Sequence, residues 1–307
     1  MMNGKIYIDG NDAYSEYGVF VEEEGYNGLI AYPPLKKVNS NDWQEMDGIE
    51  VDLSAPKLDT RQFSMDFAFS GKDYRWGDFV QRLSDKAYHT FQFKEIGRTY
   101  RLRLVSNGKT EMAKRLGFVT IKFADDFPLY GYTYKAPSST IGVYRDYEID
   151  GKPFTDYGVR ILEGTLDEIL KAPAVKTNLL RNINIQPGAI YDGERVTYKA
   201  KDVKVNCLLR GADQTEMWRN YDALLYDLTR SGQRMLYCDE TGYEYPCYYK
   251  SCSVSEFYAT VRWLKFTLTF CFISFRLEDT EYVLATETRD LVVTEDGEYA
   301  IDLRKTV

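Results

Sequence analysis

Residues 62–69, with the sequence QFSMDFAF, decide the fold of this chain. The apolar residues of this stretch stand at every second position: Phe63, Met65, Phe67 and Phe69. A period of two is typical of a β-strand with one buried face. The same pattern returns 140 residues later as DVKVNCLL, residues 202–209. The two stretches therefore predict the same strand, with the same buried face, twice in one chain.

Other matches extend this repeat along the chain. The motif IDG stands at residues 8–10 and 149–151, and YGV stands at 17–19 and 157–159. From YGV onward the offset stays at 140, as these matched pairs show: Pro33 and Pro173, Lys36 and Lys176, Gly71 and Gly211, Asp73 and Asp213. Solenoid repeats are only about 20–50 residues long, so this period indicates a duplicated domain.

The repeat divides the chain into four parts. We predict a first domain at residues 1–134, a linker at 135–146 (KAPSSTIGVYRD), a second domain at 147–276 and a C-terminal extension at 277–307. Pro, Ser and Gly in the linker are typical of irregular structure.

Each domain is predicted to contain mostly strands and one helix. In the first domain the strands fall at residues 5–9, 17–22, 48–53, 62–69, 90–94, 99–104 and 118–123. The first helix follows Asp73 as N-cap, and the second has Asp213 as N-cap, Glu216 in a capping box and Gly232 as stop signal. The fold class is therefore mainly β (α+β), with two tandem β-sandwich or open-barrel domains, each carrying one flanking α-helix.

Glycines in the repeated motifs predict local backbone geometry. Asp9-Gly10 and Asp150-Gly151 favour tight turns, because glycine adopts a positive φ without steric cost. Gly18 and Gly158 each interrupt a predicted strand, which suggests a bulge or a close backbone approach.

Charge and hydropathy argue against two classes of partner. The net charge of −8 disfavours a protein that grips the nucleic-acid backbone, since such proteins carry basic stripes. No apolar run approaches the roughly 18 residues needed to span a bilayer. The N-terminal residues lack a basic region followed by an apolar run, so we expect synthesis in the bacterial cytoplasm without secretion.

The sequence offers little that could carry out catalysis. It contains no nucleotide-binding loop and no metalloprotease or hydrolase motif. Its single histidine, His89, is predicted at the surface or at a strand end, and the five cysteines are predicted to be reduced and buried. We therefore expect no catalytic residue, metal site or cofactor, and no enzymatic activity. A hydrolase with paired carboxylates is the least favoured alternative.

Aromatic residues leave a second alternative open. The chain has 26 tyrosines and 16 phenylalanines, which favour strands. Exposed aromatic rings also bind sugars, so a carbohydrate-binding or adhesin-like β-sandwich protein is the main competing hypothesis. Its candidate platform residues are Trp43, Trp76, Trp218 and Trp263.

The order of these motifs resembles a known family. An opening IDG and YGV unit, a proline-containing loop, alternating strands, an amphipathic helix and closing strands resemble the N-terminal domain of siphophage distal tail proteins. That domain is similar in fold to tail-tube proteins. The resemblance covers residues 6–130 and 147–275, and in the first copy it extends to FADDFPLY, residues 123–130.

The resemblance implies a structural role in a phage or prophage tail. Such a protein forms a ring around the tail channel in the virion and joins the tail tube to the baseplate. Two ring-type domains per chain also resemble the baseplate hub, in which three chains supply six domains. A hexamer and a trimer with pseudo-sixfold symmetry therefore both remain open, and the implied partners are other tail-tube and baseplate proteins.

Overall fold

The computed structural model describes residues 3–22, 25–70, 75–112, 116–177, 180–182, 184–185, 187–191 and 196–274. Two seven-stranded antiparallel sheets form most of this part of the chain. The first sheet comes from residues 3–134, here called the first half, and the second from residues 147–274, the second half. The predicted N-cap Asp73, the extension at 277–307 and a possible hairpin at 295–297 lie outside the described residues.

The first half contains nine strands and three helices. In chain order they are β1 (Ile6–Ile8), β2 (Asn11–Asp12), α1 (Ala13–Tyr17), β3 (Val19–Val21), α2 (Asn27–Ile30), β4 (Ser40–Asn41), β5 (Glu50–Val51), β6 (Arg61–Ser70), α3 (Trp76–Ser84), β7 (His89–Phe93), β8 (Arg98–Met112) and β9 (Leu116–Asp125). The sheet has the order β2-β1-β7-β8-β9-β6-β3. Strands β4 and β5 pair only with each other, so the predicted strand at 48–53 is short and lies outside the main sheet.

The second half repeats this series. Its elements are β10 (Tyr147–Ile149), β11 (Lys152–Pro153), a short 3-10 helix (Phe154–Tyr157), β12 (Val159–Ile161), α4 (Thr165–Leu170), β13 (Leu180–Asn182), β14 (Ala189–Tyr191), β15 (Lys201–Arg210), α5 (Gln214–Leu228), β16 (Arg234–Cys238), β17 (Tyr243–Tyr258) and β18 (Trp263–Phe272). Its sheet has the order β11-β10-β16-β17-β18-β15-β12, which matches the first sheet position for position.

The alternating strands behave as predicted. In β6 the side chains of Phe63, Met65, Phe67 and Phe69 are buried, and in β15 so are those of Val203, Val205, Cys207 and Leu209. Strand β6 pairs along its whole length with β9, and β15 pairs along its whole length with β18. The mainly β fold class is therefore confirmed.

The two Asp-Gly turns are confirmed as tight hairpins. Asp9 and Gly10 have φ values of 51° and 90°, and Asp150 and Gly151 have 51° and 73°. Two consecutive positive φ values define the turn type that matches the natural twist of paired strands.

Gly18 and Gly158 do not form the predicted bulge, but the predicted alternative, a close backbone approach, is confirmed at Gly158, where a Cβ atom would lie 2.7 Å from the carbonyl oxygen of Arg210. Each is the left-handed C-cap of a short helix, with φ values of 74° and 71°. Asp12 starts the first of these helices by accepting hydrogen bonds from the backbone N–H groups of Tyr14 and Ser15. Tyr17 therefore belongs to α1 and not to a strand. The prediction was wrong because an N-cap acceptor outweighs a short alternating pattern.

Helix α5 follows its predicted start but not its predicted capping box. The Asp213 carboxylate accepts from the N–H of Glu216 at 2.7 Å, as an N-cap does. The Glu216 carboxylate does not return to Asp213 but accepts from Thr140 in the linker. The helix ends at Leu228 with Thr229 as C-cap, before Gly232.

Both halves contribute to one continuous hydrophobic cluster. Residues 1–274 accordingly form one compact unit. The linker follows α5: the N–H of Ser138 donates to the side chain of Asn220 at 2.9 Å, and the N–H of Thr140 donates to Glu216 at 3.2 Å. Tyr134, the last residue of the first half, donates its hydroxyl to Asp227 at 3.2 Å. Two polar residues that α5 buries, Glu216 and Asn220, are therefore hydrogen-bonded to the linker, and a third, Asp227, to the residue before it.

Candidate functional site

His89 is buried at a strand end, which is one of the two positions predicted for it. It is the first residue of β7, and its Nδ1 lies 2.7 Å from a carboxylate oxygen of Asp9. The same carboxylate accepts from the N–H of Thr90 at 3.0 Å and lies 3.0 Å from the amine of Lys86. Although burial raises it, these hydrogen bonds hold the pKa of Asp9 at about 2.

The second half has the same arrangement with an arginine in place of the histidine. Arg234 is the first residue of β16, and its guanidinium donates to Asp150 at 2.6 Å. The N–H of Met235 donates to the other oxygen of Asp150 at 2.9 Å, as Thr90 does to Asp9. A buried side-chain nitrogen at the start of a strand therefore holds the Asp-Gly turn in both halves. This equivalence explains His89 as a structural residue that fixes a turn.

The cysteines are all unpaired. Cys207, Cys238, Cys247 and Cys271 are buried, and Cys252 is partly buried. Burial raises the pKa of the Cys252 thiol to about 12, so it is protonated at neutral pH. Among the described residues, no group of three or more His, Cys, Asp or Glu side chains is arranged to hold a metal ion.

The four candidate platform tryptophans lie in four separate environments. Trp218 is buried and donates its indole N–H to the carbonyl of Ile96 at 2.7 Å. Trp76 is partly buried against Phe69, with ring centroids 4.8 Å apart. Trp43 is 50% exposed and bonds to Glu50. Trp263 is partly buried beside the exposed ring of Tyr258. The structure does not bring the four together.

A groove lies between α5 and the β7–β8 turn, and its described lining does not contain the pair of carboxylates that a hydrolase would need. This groove has a volume of about 660 Å³, and Asp222 is the carboxylate in its lining. The guanidinium of Arg98 donates to Asp222 at 2.7 Å and lies 4.1 Å above the ring of Trp218. The Asp222 carboxylate is thus part of an ion pair that joins the first half to the second.

A stacked and hydrogen-bonded pair of tyrosines lies in the contact between the halves. Tyr32 and Tyr221 stack with ring centroids 4.0 Å apart. Each hydroxyl donates to a carbonyl across the contact: Tyr32 to Tyr221 at 2.5 Å, and Tyr221 to Ile30 at 2.9 Å. Burial raises the pKa of both phenols well above the ordinary value, so both remain donors.

The segment after α2 also covers the edge of β17. The N–H of Leu35 donates to the carbonyl of Lys250 at 2.8 Å, and the Tyr249 hydroxyl donates to the carbonyl of Pro33 at 2.8 Å. The side-chain amide of Asn27 reaches the carbonyl of Ser255 at 3.2 Å. A strand edge of the second half is therefore capped by backbone from the first half.

Lys176 forms a second anchor between the halves. Its amine is buried and donates to the carbonyls of Trp43 (2.7 Å), Met46 (2.7 Å) and Gly48 (2.6 Å). It also lies 2.5 Å from the carboxylate of Asp42. The loop between β4 and β5 thus wraps around one lysine of the second half, so that a buried charge has a full set of partners.

Among the described residues, the equivalent edge in the first half has no such cover. Strand β7 pairs with β8 only from Arg98 to Leu102. From Arg103 to Met112, no described strand pairs with β8 on the side away from β9. Several apolar side chains are exposed on this hairpin: Val105, Met112, Leu116 and Phe118. Sequence reasoning missed this surface because residues 106–111 (SNGKTE) are polar and show no alternation that would predict a strand.

Comparisons with family models, curated proteins and solved structures found a likeness among the solved structures. No protein-family model matches the chain, and no curated protein does either. The fold is similar, with a TM-score of 0.30 and 13% sequence identity, to the crystal structure of SPP1 Dit (gp 19.1), a hub adsorption apparatus protein of phages that infect Gram-positive bacteria. The match covers 87% of this chain and 97% of that one. Within the described residues, no helix is long and apolar enough to cross a membrane.

Proposed function

We propose that this chain is a structural protein of a phage or prophage tail, a ring component that joins the tail tube to the baseplate. The observation that carries the proposal is the identical order of seven strands in the two sheets. It supports a duplicated tail-tube-like domain, in agreement with the motif resemblance over residues 6–130 and 147–275. Its place is the virion tail, after synthesis in the host cytoplasm.

The proposed mechanism is assembly without chemistry. The polar groups that are buried between the halves bond to one another, as in the Arg98–Asp222 ion pair and the Lys176 anchor. Such contacts fix the relative placement of two tube-like units. Three chains then supply six units in pseudo-sixfold symmetry, and six chains supply twelve.

Electron microscopy of the purified protein at high concentration tests this function. The proposal predicts closed rings, and counting lobes in class averages separates three chains from six. Mass photometry of the same sample gives the number of chains independently. If only monomers or twofold dimers are seen at every concentration reached, the proposed ring function is wrong.

A carbohydrate-binding role is the second candidate. The observation that favours it is the pair of Tyr258 and Trp263, whose ring centroids lie 5.4 Å apart beside the β17–β18 turn, with Tyr258 exposed. Binding on a glycan array that is lost in Trp263→Ala, with Trp43→Ala as the control, supports this role. An array without signal removes it.

A further inference from the structure

We propose that the edge of β8 from Arg103 to Met112, which no described strand covers, is a docking site for residues 170–175 of a second copy of this chain. The inference rests on the proposed ring function and goes beyond it by naming the two surfaces that meet. The occupant is indicated by a contact that the chain already makes within itself, between the segment after α2 and the edge of β17.

The two receiving edges are equivalent. In both sheets this strand contains a bulge at the same place: Val105 lies between the residues that pair with Phe123 and Lys122, and Lys250 lies between those that pair with Phe270 and Thr269. The carbonyl of Lys250 accepts the bond from Leu35. Val105 therefore has the position of the acceptor in the first half.

The two inserting segments are equivalent as well. Leu35 forms an isolated bridge with Leu58, and Val175 forms one with Tyr198, exactly one repeat of 140 residues later. Two flanking backbone bonds repeat in the same way: Lys36 to Lys57 and Asp59 to Pro34 in the first half, Lys176 to Thr197 and Lys199 to Ala174 in the second. The segments thus have the same backbone hydrogen-bonding pattern.

In each half, a basic side chain donates a hydrogen bond to a backbone carbonyl of the inserting segment. Arg61 donates to the carbonyl of Ala31 at 2.6 Å, and Lys201 donates to the carbonyl of Lys171 at 2.6 Å. Both donors and both carbonyls are again 140 residues apart. The second segment is therefore preorganised in the conformation that the first one uses to dock, which reduces the entropy cost of binding.

The segments differ in what they contact. In the first segment the N–H of Leu35 has its partner, and Ile30 is 2% exposed. In the second, no described residue accepts from the N–H of Val175, whose side chain is 48% exposed, and Leu170 is 57% exposed. On the receiving side, Val105 is 37% exposed. Among the described residues, the N–H of Val175 and three exposed apolar side chains thus lack the partners that their equivalents have, and Val105 lies at the acceptor position.

A second copy satisfies these groups at once. The N–H of Val175 from one chain donates to the carbonyl of Val105 in the next, and Leu170 packs on the β8 edge as Ile30 packs within the chain. The contact joins two different surfaces, so it propagates from copy to copy and ends only in a closed ring. It also covers a long strand edge that is otherwise a template for aggregation.

Three variants test the docking site. Leu170→Glu/Val175→Glu blocks the inserting segment, Val105→Glu blocks the receiving edge, and Val143→Glu places the same charge on an exposed residue of the linker. Mass photometry is expected to show loss of rings in the first two, with ring affinity weakened more than about tenfold, and normal rings in the third. Circular dichroism and thermal unfolding confirm that each variant is folded. Rings in both blocked variants overturn the docking site.

Mixing the two blocked variants gives a sharper result. Each retains one intact surface, and the intact surfaces are complementary, so the mixture forms a one-to-one dimer that neither variant forms alone. If the mixture stays monomeric although each variant is folded, the docking site is wrong.

A disulfide crosslink separates this inference from the ring function. Val105→Cys/Val175→Cys is expected to form covalent oligomers under oxidation, whereas Val105→Cys alone and the unaltered chain remain uncrosslinked. Rings of the unaltered chain together with an absent crosslink overturn the docking site and leave the ring function intact. If the unaltered chain forms no rings, the ring function fails, and the crosslink alone then decides whether the surfaces meet.

Discussion

Strands β17 and β8 occupy the same position in two sheets of identical order, but among the described residues only the β17 edge is covered. The chain places Leu35 and Asn27 against the β17 edge, whereas the edge of β8 from Arg103 onward has no described strand on its open side. In the described part of the chain, the segment of the second half that is equivalent to residues 30–35, residues 170–175, makes no backbone hydrogen bond to β8. Two equivalent edges thus differ in whether the described part of the same chain covers them.

Equivalent residues of the two halves differ in a way that matches the covered and open edges. Tyr32 stacks on Tyr221 in the covered contact, and the residue 140 positions later is the exposed Ala172. Helix α5 is buried on several sides, whereas α3 buries only Phe79 and Leu83. The internal contact is therefore built as a permanent core, whereas the equivalent segment of the second half has a smaller, exposed side chain at this position.

The largest effect is expected from Tyr32→Ala, because it removes a buried ring and a hydrogen bond from the contact between the halves. We expect the free energy of unfolding to fall by about 3–5 kcal/mol. Urea denaturation measures the change, and Leu170→Ala, at an exposed position of the second half, serves as control with an effect within about 0.5 kcal/mol. Equal losses in the two variants contradict a difference between the halves.

Lys176→Met is expected to have the next largest effect. It leaves three buried carbonyls and Asp42 without their cation, at a cost of about 3 kcal/mol in the free energy of unfolding. Lys36→Met changes the repeat-equivalent residue, which is exposed, and is expected to change stability by less than about 0.5 kcal/mol. If Lys176→Met leaves the free energy of unfolding unchanged, the loop between β4 and β5 is not anchored by this amine.

Acid is expected to weaken the first half through Asp9. The folded-state pKa of about 2 lies below the usual value of 3.8, so the stabilisation is present above about pH 4 and is lost as the pH falls towards 2. Allowing for partial solvent screening, we expect about 1.5 kcal/mol from this group. Denaturant titrations at several pH values are compared for the unaltered chain and Asp9→Asn. Parallel pH profiles of the two proteins are incompatible with this assignment.

The smallest predicted effect comes from the N-cap of α5. Asp213→Ala removes the acceptor of the Glu216 N–H and is expected to cost about 1 kcal/mol. Asp213→Asn retains an acceptor and is the matched control. A loss of equal size in both variants assigns the effect to charge and not to capping.

Local patterns in the sequence predict much of this fold. Alternation predicts β6 and β15, and the Asp-Gly pairs predict both hairpin turns, since these depend on nearest neighbours. The position of α1 is missed because Asp12 acts through two backbone N–H groups that no apolar pattern reveals. The matched strand orders agree with the proposed duplication of residues 1–134 and 147–276.

Long-range contacts are beyond such patterns. His89 is buried beside Asp9, which lies 80 positions away in the sequence, so no local pattern predicts this burial. The same holds for Lys176, whose partners come from a loop about 130 residues earlier. The open edge of β8 is recognised only by comparison with the covered edge of β17, which requires the whole topology.

Hydrogen–deuterium exchange of the two edges, followed as the protein concentration is raised, tests the central claim most directly. The account predicts that peptides from residues 248–258 are protected at every concentration, because the same chain covers them. Peptides from residues 103–112 are predicted to exchange rapidly in dilute solution and to become protected, together with residues 170–175, as rings form. If rings form while residues 103–112 exchange as fast as they do in the monomer, the account is wrong.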